Sequence, residues 1–191
     1  MAIVAPIKWL FAALAITLVV MGLASCSQRS TCVLSEAMAD YEQALVTHLG
    51  DPDGIDIGLA RFQETYQDLA AADLSERVGV TYAETFFFND TLHSFHDRAT
   101  LQAYMSQIST QLEHSAIEVH QVVVDGADVF VRWRMHFASA SMESNSIGMS
   151  HLRFNQDGEV VLHQDFWDSG HGLYAHLPVV GFLVRRVRQM L

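Results

Sequence analysis

Apolar positions along this 191-residue chain change period more than once. Leu34, Ala37, Met38, Tyr41 and Leu45 recur at helical spacing, which predicts a first helix over 34–48. Gly50-Asp51-Pro52-Asp53-Gly54 breaks it. Ile55, Leu59, Phe62, Tyr66 and Leu69 then form one apolar stripe on a second helix, and 73–80 reads as a connector. Phe86-Phe87-Phe88 suits a strand buried on both faces or the mouth of an apolar pocket, and 91–98 reads as a loop. Asp97 or Thr100 can cap a third helix, whose buried stripe is Leu101, Tyr104, Met105, Ile108 and Leu112.

Beyond Leu112 the period falls to two. Strands are expected at 117–124, 129–138, 147–154 and 160–168, with turns at Asp125-Gly126 and Asn155-Gln156-Asp157-Gly158 and a polar loop at 139–145. Helices first, then a strand set with one helix inserted, is an α+β pattern. The last strand carries the densest chemistry, with Val161, His163, Asp165 and Trp167 on one face and Val160, Leu162, Gln164, Phe166 and Asp168 on the other. Leu162 and Phe166 make the second face the better core by composition. With the first face inward, Asp165 would be a buried carboxylate in need of partners. After Gly172, the apolar residues Leu177, Val180, Val184, Val187 and Leu191 can share a helical face flanked by Arg185, Arg186 and Arg188. Such a helix can pack on its own domain or lie on an anionic membrane surface. Packing on its own domain or on a dimer mate is the preferred expectation.

Composition adds an address. Residues 9–24 are an unbroken apolar and small run of sixteen, short of the roughly 20 that a spanning helix needs. They suit a secretory signal. Leu23-Ala24-Ser25-Cys26 resembles the lipobox of bacterial lipoproteins, which implies a signal over 1–25, lipidation at Cys26, a tether over 26–33 and a periplasm-facing place in the cell envelope. Ser27 after the cysteine points to the outer rather than the inner membrane. The second cysteine, Cys32, is then unpaired on the tether; it can link two chains in an oxidising compartment, but an idle thiol is the preferred expectation. Loss of the signal removes the only lysine and leaves ten arginines against 22 acidic residues, which argues against nucleic acid as a partner. His93 and His96 lack a third ligand at metal-site spacing, so neither a metal nor a cofactor is expected.

The element order, together with Gly148-x-Ser150-x-Leu152-Arg153-Phe154, Asp157-Gly158, His163-x-Asp165-Phe166-Trp167-Asp168 and the tail Leu173-Tyr174-x-x-Leu177-Pro178-x-x-Gly181, resembles the SnoaL-like branch of the nuclear transport factor 2-like (NTF2-like) superfamily. The resemblance implies a cone over 34–172: a strongly bent, mainly antiparallel sheet wrapped by about three helices around a pocket, followed by an amphipathic helix over 173–191. It also implies that Asp165 stands where limonene epoxide hydrolases keep the aspartate that activates water. Asn89 then matches the asparagine that helps hold that water, and Phe87 stands where those enzymes have a tyrosine. Their Arg-x-Asp pair is not matched, since Arg132-Trp133-Arg134 lacks the acid. The expected site is Asp165 as general base or ligand acceptor with His163 beside it, Trp133 and Trp167 as walls, and His136 or His151 as a further polar group. Binding of a small apolar molecule, isomerase, cyclase or hydrolase chemistry at Asp165, and an envelope interaction module that could form a homodimer remain open at this point.

Overall fold

A computed structural model of the chain describes residues 38–176 and 180–190. The signal, Cys26 and the tether therefore lie outside the described residues. The chain divides into a unit ending at Gln43 and a compact unit of residues 44–191, to which everything below refers unless stated.

Helix α1 covers 38–47, within the span predicted for the first helix. A 3-10 turn (Pro52–Gly54), held by the Asp51 side chain accepting from the Asp53 amide, leads into α2 (Ile55–Tyr66). Helix α3 (Leu74–Thr81) corrects the connector expected there. Val78-Gly79-Val80-Thr81 is a poor helical sequence. Leu74 and Val78, one turn apart, are nevertheless both fully buried, and that burial outweighs propensity. Strand β1 (Tyr82–Asn89) follows, then β2 (Ser94–Asp97), a short antiparallel edge strand where a loop was expected. His93 and His96 are exposed beside it. Asp97 caps α4 (Arg98–Gln111) by accepting from the Thr100 amide at 2.9 Å.

The remaining strands are β3 (His114–Asp125), β4 (Asp128–Ser139), β5 (Met142–Phe154) and β6 (Val160–Trp167). The polar loop expected at 139–145 is mostly strand. Ser139 pairs with Met142 across a tight turn, and Ser144 is buried with its hydroxyl donating to the Gly172 carbonyl. Hydroxyls at the inward positions hid that strand from a reading based on apolar alternation. In the next turn Gly158 sits at φ +74°, and a Cβ there would come within 2.9 Å of the Gly58 backbone nitrogen. That close approach lets α2 settle against the turn.

The sheet order is β2-β1-β6-β5-β4-β3, antiparallel throughout except for the parallel β1/β6 pair. It curls without closing. Phe62 and Tyr66 of α2, Leu74 and Val78 of α3, and Leu101 and Met105 of α4 meet Val129, Val131, Trp133, Leu152 and Phe154 from the concave face. Short helices Ser169–Gly172 (α5) and Val180–Arg188 (α6) end the described chain. Of the apolar stripe expected on α6, Val180 and Val187 are exposed and Val184 is half-buried, and Leu177 and Leu191 lie outside the described residues; Arg188 pairs with Asp168 at 2.7 Å. No described helix is long and apolar enough to cross a membrane.

Candidate functional site

Strand β6 places the site through one irregularity. Leu162 pairs with Arg153 and Val160 with Phe154, so Val161 is an extra residue in the ladder. A bulge of this kind resets which side chains share a face. Val160 therefore joins the core on the concave side, in place of the Val161 that simple alternation assigns there. Beyond the bulge, His163, Asp165 and Trp167 look into the cone, while Leu162 is buried and Phe166 exposed on the convex side.

Between the sheet and helices α2 and α4 lies a cavity of about 190 Å³. Phe62, Tyr66, Phe88, Tyr104, Met105, Ile108, Ile117, Val119, Trp133, Met135 and Trp167 supply apolar wall, and Asp90, Ser150, His163 and Asp165 supply polar groups. Apolar walls with a few placed polar groups are the general form of a small-molecule site. Gly148 makes room for one wall: a Cβ there would lie 2.3 Å from the Trp133 ring. The ring can thus lie across β5 and donate from Nε1 to Ser150 Oγ at 2.9 Å.

The polar groups form a chain. The Tyr66 and Tyr82 hydroxyls are 2.5 Å apart, and Tyr82 Oη is 2.5 Å from His163 Nδ1. His163 Nε2 is 2.8 Å from Asp165 Oδ1, which also accepts from Ser150 Oγ at 2.5 Å. With the ring proton on Nε2, every donor in the chain has its own acceptor. Tyr66 donates to Tyr82, Tyr82 to His163, and His163 to Asp165. Burial pushes both tyrosine hydroxyls far above the usual phenol range, with the charges of Asp165 and Asp90 acting in the same direction, so both stay protonated donors. The chain clamps one oxygen of Asp165. Its other oxygen, Oδ2, takes no hydrogen bond from any described residue. A second clamp sits at the rim: Tyr104 Oη donates to Asp90 Oδ2 at 2.5 Å, and Trp167 Nε1 to the Asp90 carbonyl at 2.9 Å.

Of the residues expected here, Asp165, His163, Trp133 and Trp167 come together, and four do not. Phe88 lies opposite His163 in the β1/β6 ladder, so Phe87 and Asn89 turn to the other side. The Phe87 ring lies near His96, and Asn89 Oδ1 accepts from the Thr91 amide. His136 lies outside the cavity, with Nε2 2.9 Å from Glu143 Oε1. His151 stacks on Phe130 on the convex face, where its Nε2 is 2.7 Å from an Asp128 oxygen that also accepts from Arg153 Nε. Tyr66, Tyr82, Ser150, Asp90 and Tyr104 were missed as site residues. Tyr66 and Tyr104 read as members of core stripes, and Ser150 only as part of a motif.

The SnoaL-like domain profile matches residues 62–163, just over half of the chain, from α2 through His163. The chain belongs to the SnoaL-like domain family. Solved structures agree on the NTF2-like fold of this SnoaL-like protein. An LEH-like epoxide hydrolase of M. tuberculosis superposes with a TM-score of 0.53 at 13% identity, covering 72% of this chain and 98% of that one. A protein described as a SnoaL-like polyketide cyclase, from Jannaschia sp. CCS1, gives 0.51 at 16%, covering 62% and 87%. A protein from Catenulispora acidiphila with a ketosteroid isomerase-like fold, in complex with trimethylamine, gives 0.50 at 12%, covering 55% and 82%. At these identities the likeness is one of fold. No curated protein matches the chain.

Proposed function

We propose that this SnoaL-like domain binds a small, largely apolar molecule inside the cone, anchored at Asp165, and that a lipid on Cys26 tethers it to a membrane of the bacterial envelope. The observation that carries the binding reading is the Asp165 carboxylate, which lines an apolar cavity: one oxygen is held by His163 and Ser150, and the other takes no hydrogen bond from a described residue. A cavity of about 150 Å³ holds benzene, so about 190 Å³ holds a substituted ring or a branched chain of similar bulk. The tether rests on the lipobox alone. Native mass spectrometry on protein purified from its membrane tests the binding reading. A co-purifying small molecule that is lost in Val119→Phe, which fills the cavity, is the expected result. Protein that is empty in every preparation counts against it.

A second reading, proton abstraction by Asp165, is favoured by the Tyr66–Tyr82–His163 relay behind the carboxylate. Epoxide opening is the least supported chemistry. Arg132 and Arg134 are exposed, and neither Phe87 nor Asn89 lines the cavity. Turnover that survives Asp165→Asn would remove the catalytic reading.

A further inference from the structure

We infer that the cone selects ligands that donate a hydrogen bond, and best of all an apolar amine carrying a positive charge. This rests on the binding reading above and narrows it to a chemical class. Side-chain donors lining the cavity are already used internally: Trp133 on Ser150, Ser150 and His163 on Asp165, and Tyr104 on Asp90. Trp167 gives its N–H to the Asp90 carbonyl. The tyrosine pair behind His163 faces its own partners. The remaining lining residues with side-chain donors, Gln63 and Gln67, are exposed. Asp165 lines the cavity, and its Oδ2 is an acceptor that no described residue engages.

Charge points the same way. Two carboxylates, Asp90 and Asp165, line the cavity, and among the described residues no lysine or arginine does. Their fields reach the interior hydroxyls: burial and then the Asp90 charge push the Tyr104 hydroxyl upward, with Asp165 adding to it. Trp133, Trp167, Phe88 and Tyr104 offer aromatic faces, which attract a cation and repel an anion. An acceptor-only ligand, such as a ketone or a carboxylate, would meet a bare carboxylate, with only the amides of the exposed Gln63 and Gln67 to answer it. An ammonium on an apolar body meets one charged acceptor and aromatic walls.

The test is calorimetric titration of the purified full chain at pH 7 with four probes of similar size. These are 2-phenylethylamine, 2-phenylethanol, 3-phenylpropionate and ethylbenzene. The expected order is amine tighter than alcohol, alcohol tighter than ethylbenzene, and no detectable binding of the carboxylate. Removing a charge-assisted hydrogen bond weakens binding by about ten- to a hundredfold, so Asp165→Asn should narrow the amine's advantage by that factor. Should Asp165→Asn not fold, the four-probe order on the unaltered chain decides alone. Carboxylate binding as tight as the amine, or ethylbenzene equal to the amine, overturns the inference while leaving the cavity as a binding site. Failure of all four probes overturns both readings.

Discussion

Replacing Tyr82 by Phe isolates the worth of the buried relay. Phenylalanine keeps the ring, so the packing of a fully buried side chain on Phe86 and Phe88 is preserved. Only the oxygen goes, and it holds two partners, Tyr66 Oη and His163 Nδ1, each at 2.5 Å. Both partners are buried, Tyr66 at 7% exposure and His163 at 1%, so water does not replace the lost bonds. Leaving a buried polar group unsatisfied costs about 1–3 kcal/mol, and two such groups give roughly 2–5 kcal/mol. Tyr66→Phe is the control. It removes the end of the chain and leaves Tyr82 donating to His163, so its cost is about 0.5–1.5 kcal/mol. In the double variant the orphaned Tyr66 hydroxyl is gone, and the two costs should fall short of additive by on the order of 1 kcal/mol. Urea unfolding followed by tryptophan fluorescence reads all three, with an unchanged slope confirming that stability itself is compared. Tyr82→Phe costing no more than Tyr66→Phe, or strict additivity, would refute the relay.

Further perturbations follow from the geometry. Gly148→Ala should push the Trp133 ring aside and break its bond to Ser150, destabilising by about 1–3 kcal/mol with a changed near-ultraviolet circular dichroism spectrum; an unchanged spectrum and melting point would contradict the close contact. For Asp128, burial alone would raise the carboxyl, but hydrogen bonds from Arg153 and His151 outweigh it and hold the group below the usual carboxylate range. Its folded pKa is therefore below the unfolded value of about 3.9, so its stabilisation is fully present above about pH 4 and is lost as pH falls through the lower folded value. The stability gap between the parent and Asp128→Asn should be flat at neutral pH and close in acid; a gap that is constant down to acid unfolding would count against this. Cys26→Ser should abolish metabolic palmitate labelling and membrane retention, and labelling that survives would remove the tether.

Much of the strand set is legible in the sequence because one side faces the core. Val129, Val131 and Trp133 alternate with Arg132 and Arg134, and that period needs no tertiary context. Helix α3 is not legible, because its stability comes from where Leu74 and Val78 are buried rather than from its own residues. Strand β2 is short, polar and at the edge, so it lacks a pattern. The inward turn of Asp165 and Trp167 follows from family resemblance, while composition alone favoured Leu162 and Phe166 as core. The Val161 bulge is invisible to alternation, because Val160 and Val161 are interchangeable by residue type. Phe87 and Asn89 match the epoxide hydrolase site only by resemblance, and one step of strand parity turns both of them away from the cone. The relay escaped notice because a tyrosine within an apolar stripe reads as core until its hydroxyl partner is located.

A crystal structure of the protein soaked with 2-phenylethylamine tests the anchoring role of Asp165 most directly. The expected result is the ring between Trp133 and Trp167, with the ammonium nitrogen about 2.8 Å from Asp165 Oδ2, the length of a charge-assisted bond. An amine seated outside the cone, or an Asp165 side chain released from His163 and facing bulk water, would contradict it.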